Sequence, residues 1–466
     1  MSNQTIFNLF ENFQVGFLVD SHKVVSGDIR LDSSHFVDDS NITLNESIKF
    51  SSLSNFIKSV EEPKLFTRIY CDKKYGVPYI SSSEMSEIEP PINSRFISKE
   101  LTNNINQYII KRGQILVSAA GTVGSIVLAT KELDGVAGTS DILRINVVME
   151  TNLGFVYTYL TSSFGANELA NLAYGAIIKR VRGFQLAELK TPIIENKSKF
   201  RINELVLKAL ENRDEANNLL KQARSLVLKN NNLPELFENN QDSLYRKTNL
   251  KEFTDDFRLD SHFYNPMAEE AVKNVKKYSS DYRKLNDNVA ENVFYLNRFT
   301  RTFVDESFGV PYMAGRDIIK VRPTDVSYLS YTETSGLDAY KLKEGWILMT
   351  CSGTLGRTCF IYKNYENWVG THDLIRIVPS VDFDSGYLYA FLSSDYGYHQ
   401  ALRYKHGAVI DHLTPDQVAE IIVPIPTVKQ QKEIGDLVRC AYDLRAEAIR
   451  LENEAQAILT EALIKE

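Results

Sequence analysis

Two stretches of the chain carry apolar or small residues at alternating spacings of three and four. The first runs Ile202, Leu205, Ala209, Asn212, Ala216, Leu219, Ala223 and Leu226; the second runs Ile434, Leu437, Ala441, Leu444, Ala448, Leu451, Ala455 and Ile458. This is the seam of a heptad repeat and predicts two long helices. The first begins near Lys197 and runs for about 32 residues, or roughly 48 Å at 1.5 Å per residue. One seam position is alanine three times in each helix, which lets two helix axes approach closely. The helices are therefore expected to pack on each other, with Asn212 as a polar residue that fixes register. An antiparallel pair needs the shorter chain path. It places whatever precedes each helix at opposite ends of the pair, around an approximate twofold axis.

Ahead of each helix the periodicity changes to short, nearly continuous apolar runs. Gln114–Ser118 and Ser125–Leu128 read as two strands joined by the loop Ala119–Gly124, and Asp141–Ile145 as a third. Phe155 through Leu172 suits a helix. The class is α+β, a sheet-rich domain feeding a long helix.

The same words then return. Lys111-Arg-Gly-Gln-Ile-Leu-Val-Ser-Ala-Ala-Gly-Thr-Val-Gly124 reappears as Lys343-Glu-Gly-Trp-Ile-Leu-Met-Thr-Cys-Ser-Gly-Thr-Leu-Gly356, an offset of 232 that also relates Asp141 to Asp373, Arg144 to Arg376 and Pro192 to Pro424. Upstream the offset becomes 233, relating Phe66-Thr-Arg68 to Phe299-Thr-Arg301 and Gly76-Val-Pro-Tyr79 to Gly309-Val-Pro-Tyr312. Arg30–Phe36 and Arg258–Phe263 extend the match further, including His35 and His262 as candidate structural caps. A duplication this long means two whole domains. The division is an opening segment 1–50, a first domain 51–195, a long helix 196–230, a connector 231–285, a second domain 286–426 and a closing helix 427–466.

Composition narrows this picture modestly. A chain of 466 residues with 43% hydrophobic content is ordinary for globular domains, and its formal charge is -7. A negative total argues against phosphate binding in general. Charge is unevenly placed, however: Glu433, Glu447, Glu452, Glu454 and Glu461 lie in the last helix while Lys179, Arg180 and Arg182 cluster in the first domain, so a locally basic face is compatible with it. No apolar run approaches the roughly 20 residues of a membrane span, and the polar start has no signal-peptide character, so a cytoplasmic location is expected. Four cysteines without a Cys-x-x-Cys pair support neither zinc nor a disulfide framework.

Candidate chemistry is thin. The Gly-Thr-x-Gly loops lack the lysine of a Walker A loop and join strand to strand. They read either as tight turns needing positive φ or as backbone approaching a DNA phosphate. His399, His406 and His412 cluster, but their equivalents are Asn167, Tyr174 and Arg180. His372-Asp373 resembles a base and its orienter, with Ser140-Asp141 in the other copy and no nucleophile motif nearby. No catalytic site, metal or cofactor is expected.

The arrangement resembles the specificity subunit of type I restriction-modification systems. The resemblance rests on Gly-x-Ile-Leu-x-x-x-x-Gly-Thr-x-Gly in both copies (Gly113–Gly124 and Gly345–Gly356), each followed by a long helix, and on Pro-Ile-Pro-x-x-x-Gln-Gln from Pro424 to Gln431. It implies two tandem target-recognition domains and an antiparallel coiled coil with pseudo-twofold symmetry. It also implies a non-catalytic subunit that binds a bipartite target in double-stranded DNA, one half per domain. Two methyltransferase subunits would dock on the paired helices and recruit restriction and translocase subunits, with S-adenosylmethionine on the methyltransferase. The helix residues assigned to the subunit interface are Leu205, Ala209, Asn212, Ala216 and Leu219 with Leu437, Ala441, Leu444, Ala448 and Leu451.

Residues reading two different half-sites should differ between copies. This selects Ser82, Ser83 and Glu84 against Gly315, Arg316 and Asp317, and Lys179, Arg180 and Arg182 against Asp411, His412 and Thr414. Arg68 and Arg301, kept in both copies, suit phosphate contacts. Lys73, Lys74, Thr122, Thr354 and Arg357 complete the candidate DNA-binding set. Competing functions are a twin-domain scaffold for protein or glycan ligands, and the specificity subunit of a related methylation-linked phage-defence system.

Overall fold

The computed structural model describes residues 47–90, 95–120, 124–148, 151–173, 179–236, 260, 262–321, 326–334 and 336–464. Thr122, His35 and the segment 1–46 lie outside them.

The first domain contains β1 (Phe50–Ser52), β2 (Ile57–Glu61), β3 (Gly76–Ile80), β4 (Phe96–Ser98), β5 (Ile115–Ser118), β6 (Ile126–Leu128), β7 (Ala137–Gly138), β8 (Ile142–Val147) and β9 (Lys190–Pro192). Strands β2, β8, β5 and β6 form an antiparallel sheet in that order, and β4, β3 and β7 a second one in which β3 and β7 run parallel. All of β5 is buried because its alternating faces serve two cores. Ile115 and Val117 join the core that reaches the long helices, whereas Leu116 packs with Ile80, Met85 and Val127 between the sheets. That explains why the strand reads as a continuous apolar run.

The second domain repeats this with β10 (Tyr282–Lys284), β11 (Ala290–Phe294), β12 (Phe303–Val304), β13 (Gly309–Met313), β14 (Ser327–Ser330), β15 (Ile347–Thr350), β16 (Thr358–Phe360), β17 (Val369–Gly370), β18 (Leu374–Pro379) and β19 (Ile422–Pro424). Its main sheet is ordered β11, β18, β15, β16. Register is preserved: Ile115 opposes Ile145, and Ile347 opposes Ile377. Arg144 and Arg376, matched in the sequence, are two of the most deeply buried large side chains. Arg376 donates to the carbonyls of Leu374 (3.0 Å) and Gly370 (2.9 Å), and Arg144 to those of Gln107 and Ile109. Burial pushes Arg376 down to about 10. Both are scaffold residues.

The helix expected over Phe155–Leu172 is two helices, α1 (Leu153–Thr161) and α2 (Ser163–Leu172). The break falls at Ser162, whose hydroxyl accepts the Gly165 N–H at 3.1 Å as an N-cap. Next come α3 (Gly183–Ala187), the long α4 (Asn196–Asn230) and α5 (Pro266–Tyr278), then α6 (Ser385–Leu392), α7 (Asp395–Arg403), α8 (Pro415–Ala419) and the long α9 (Val428–Leu463). Helix α1 lies so close to α4 that a Cβ on Gly154 would come within 2.4 Å of the Asn203 backbone. Gly386 meets Gly435 in the same way between α6 and α9, at 2.7 Å.

Helices α4 and α9 pack antiparallel. Ile202, Leu205, Ala209 and Leu210 share a core with Ala448, Leu451, Ala455 and Leu459, whereas Ala216, Leu220, Ala223 and Val227 share the other core with Ile434, Val438 and Ala441. Each domain therefore covers one end of the pair, and each long helix belongs to both cores. The buried stripe is wider than the predicted seam for this reason. It includes Val206, Leu220, Val227, Val438 and Tyr442, while Leu219, Leu437 and Leu444 stay partly exposed. A buried ion pair across the two helices comes from the residue after Asn212: Arg213 makes a bidentate pair with Glu452, with Nη2 to Oε2 at 2.7 Å.

Candidate nucleic-acid interface

The described ends of the two glycine loops close alike. Gly124 N–H donates to the Ser118 carbonyl at 3.3 Å with φ +90°, and Gly356 N–H to the Thr350 carbonyl at 3.0 Å with φ +73°. Gly353 also has positive φ, so in the second copy both glycines occupy backbone conformations that other residues reach only with strain. Thr354 stands exposed between them.

Beside each loop runs the segment singled out as divergent. Val181 N–H donates to Ala119 O at 2.9 Å, and Leu413 N–H to Cys351 O at 3.0 Å, while Ala120 bridges Arg180 as Ser352 bridges His412. The fold thus brings Arg180 and His412 to equivalent places next to the loop. Their surroundings differ. Arg180 pairs with Asp141 at 2.7 Å and Arg182 with Glu62 at 2.6 Å, with Lys179 exposed alongside. In the second domain Lys405 pairs with Asp411 at 3.1 Å, and His406 and His412 exchange backbone hydrogen bonds at the neck of a hairpin. The hairpin tip carries Val409, 96% exposed. Its equivalent in the first copy lies outside the described residues.

A second surface repeats just as closely. The Arg68 guanidinium lies 5.8 Å from the Tyr79 ring, and that of Arg301 5.8 Å from the Tyr312 ring. Phe66 packs on Tyr108 as Phe299 packs on Tyr340, with ring centroids 4.0 and 4.1 Å apart. Outside this core stand exposed aromatic pairs at matching positions, Tyr70 with Tyr75 and Phe303 with Phe308. Sequence reasoning missed them, although an offset of 233 relates both pairs. Lys73 and Lys74 are exposed on the turn before Tyr75. His372 Nε2 lies 3.2 Å from the Asp373 carboxylate. Burial holds its imidazole below the ordinary histidine range; adjacent Asp373 opposes this effect, and Arg301, Arg298 and Arg376 add to it. In the first copy the backbone carbonyl of Asp141, the equivalent of Asp373, accepts the Ala119 N–H at 2.8 Å at the foot of the loop.

Three of the selected side chains are engaged elsewhere. Glu84 accepts from the Ser81 N–H and hydroxyl, both at 2.7 Å, and from Arg95. Burial alone would raise its carboxyl, but these donors hold it below the usual carboxylate range. Asp317 does the same work in the other copy, accepting the Ala314 N–H at 3.0 Å with Lys320 at 3.2 Å. Glu and Asp at this position are two versions of one loop closure, so the difference between them carries no half-site information. Ser82, Ser83 and Arg316 remain accessible, Arg316 at 78% of its side chain. Arg357 reaches across to the first domain, to Glu87 at 2.7 Å and to the Glu89 carbonyl at 2.7 Å, and is not available to DNA.

The seam residues assigned to a subunit interface require the same correction. Leu205, Ala209, Asn212, Ala216, Ala441, Ala448 and Leu451 are buried within this chain. They hold the two helices and the domain cores together, so a second chain has access only to the outer faces of α4 and α9, with Leu219, Leu437 and Leu444 at their margins. Among the described residues no group of three or more His, Cys, Asp or Glu is placed to hold a metal ion, and no helix is long and apolar enough to cross a membrane.

The family model described as the type I restriction modification DNA specificity domain matches residues 45–230 and 310–454. No curated protein matches the chain. Among solved structures, the S subunit of a type I restriction-modification system from M. genitalium shows 15% identity and a TM-score of 0.31, covering 91% of this chain and 99% of that one. The HsdS subunit from Thermoanaerobacter tengcongensis shows 15% identity and a TM-score of 0.28 over 91% and 99% of the two chains. A chain from a study of complex assembly and conformational transition in the type I R-M system shows 15% identity and a TM-score of 0.29 over 90% and 98%.

Proposed function

From the premise that the chain belongs to the type I restriction modification DNA specificity domain family, we propose that it reads a bipartite DNA target, one half per domain, and directs methyltransferase and restriction subunits to it. The observation that carries this reading is the repetition of one surface at equivalent places in two domains around a pseudo-twofold axis. In each copy a glycine loop lies beside a segment whose side chains differ: Lys179, Arg180 and Arg182 in one, Asp411 and His412 in the other. A shared scaffold with unlike side chains is what two unlike half-sites on one duplex require.

In this reading Arg180 and Lys179 approach guanine edges or phosphates. Asp411 and His412 present a carboxylate acceptor and an imidazole to base edges, the carboxylate suiting cytosine, whose amino group donates. Arg68 and Arg301, stacked on tyrosines, position each domain on the backbone, and Thr122 and Thr354 accompany the glycine-loop amides toward phosphate. The outer faces of α4 and α9 receive the methyltransferase subunits, which would carry S-adenosylmethionine. This chain performs no chemistry itself.

The test is a domain exchange. Replacing residues 51–195 with those of a relative is expected to change one half of the methylated motif and leave the other half intact, as read by genome-wide methylation sequencing. Alteration of both halves would defeat the modular reading. An unmethylated genome with retained binding of a protein or glycan ligand would favour the scaffold alternative.

A further inference from the structure

Among the described residues the two recognition domains meet in a backbone contact that has an unusual property. Ile88 N–H donates to Ile319 O at 2.6 Å and Val321 N–H to Ser86 O at 2.8 Å, which sets Glu87 opposite Lys320. Positions 87 and 320 are 233 apart, the offset that relates Gly76-Val-Pro-Tyr79 to Gly309-Val-Pro-Tyr312. Each of these two residues therefore faces its own counterpart, and the contact lies on the pseudo-twofold axis.

Side chains pin this contact to both long helices. Arg224 of α4 makes two hydrogen bonds to the Glu89 carboxylate, at 2.6 and 2.8 Å, and Arg445 of α9 lies 3.7 Å from it. Arg357 of the second domain holds both Glu87 and the Glu89 backbone. The pins are not a by-product of duplication: the counterpart of Arg357 is Ser125, and that of Glu89 is Arg322. One loop of the first domain is thus tied at once to the second domain, to α4 and to α9.

We infer that this contact on the axis is a second determinant of the spacing between half-sites, acting alongside the helix pair. The inference rests on the bipartite reading above. Adding one base pair to a spacer moves the half-sites apart by roughly 3.4 Å along the duplex and rotates them by about a tenth of a turn. Hydrogen bonds lose their geometry beyond about 3.2 Å. The two backbone bonds and the Arg357 pins cannot follow either movement, so the domains are held to one separation and one twist. A pair of long helices joined to the domains only at its ends would bend or slide to admit neighbouring spacers; the lock removes that freedom.

The test uses the full chain expressed with its methyltransferase subunit in a host free of other methylation, with the motif read by methylation sequencing. The wild type should show a single spacer. Replacing Arg357→Ala together with Glu89→Ala should leave both half-sites unchanged while sites with one base pair more or fewer become methylated to at least a tenth of the original level. Strict retention of the original spacer in that variant, or loss of all methylation, would overturn the inference. A second variant guards against damage to folding: Glu87→Cys with Lys320→Cys, oxidised to a cross-link, should methylate the original motif as well as the reduced form does. Loss of activity on oxidation, restored by reductant, would show that the contact must open to bind DNA and would equally overturn the inference. A wild-type motif without two separated halves would defeat the bipartite reading instead, whatever the variants do.

Discussion

Arg213 and Arg445 occupy the same position in the two long helices, yet their surroundings differ. Arg213 meets Glu452 in a bidentate pair between α4 and α9. The residue equivalent to Glu452 is Leu220, which offers Arg445 no acceptor. Arg445 turns instead to Asn217 at 3.1 Å and toward Glu89. Arg213 serves the helix pair, whereas Arg445 both bonds across that pair to Asn217 and approaches the contact between domains. The duplication supplies a symmetric scaffold, and a few polar substitutions then give its two halves different duties. The same contrast appears beside the glycine loops, where Arg180 and His412 share a backbone place and little else.

The comparison breaks most visibly at Glu452. Replacing it with Leu, the residue its counterpart already is, leaves the Arg213 guanidinium buried without its partner and is expected to cost about 3–5 kcal/mol, measured by urea denaturation. Adding Arg213→Leu should recover most of that loss, because an apolar pair of similar volume replaces a buried ion pair at little cost. If the single variant were as stable as the wild type, the helix pair would not depend on this contact.

Arg180→Ala sharpens the comparison at the loops. Its pair with Asp141 is partly exposed and worth at most about 1 kcal/mol of stability, but loss of a base contact costs about 1–3 kcal/mol of binding. Affinity should fall about tenfold for the intact target and not at all for duplexes whose first half-site is already scrambled. Equal weakening of both, measured by fluorescence anisotropy at fixed salt, would assign Arg180 to nonspecific phosphate contact.

The smallest effect is that of pH on Glu89. Burial raises its carboxyl, but Arg224, Arg445 and Arg357 together hold it below the usual range. A depressed carboxylate contributes stability that is present above the ordinary glutamate value of about 4.3 and is lost as pH falls through the lower folded-state value. The wild type should therefore lose more stability than Glu89→Gln between about pH 5 and 3, followed by thermal melting. Parallel curves would remove Glu89 from the account of the contact.

Much of this was legible along the chain. The alanine track at Ala209, Ala216, Ala441 and Ala448 announced close helix packing, and the constant offset announced two copies of one domain. Arg144 and Arg376 were legible only as a repeated pair; their burial, which recurrence alone does not reveal, makes them scaffold. The role of Glu84 and Asp317 was not, because divergence in residue type hid identity of function: either carboxylate closes the same turn. Nor was that of Arg357, whose partners lie 270 and 268 positions away in the other domain.

The sequence by itself determined periodicity, duplication and the continuous apolar run of the Ile115–Ser118 strand, since these follow from local patterns of apolar residues. Only the tertiary structure decided which charges face solvent and which bind the two halves together. Pairing between distant side chains depends on the meeting of two folded surfaces, and nothing in the spacing of residues along one chain records that meeting.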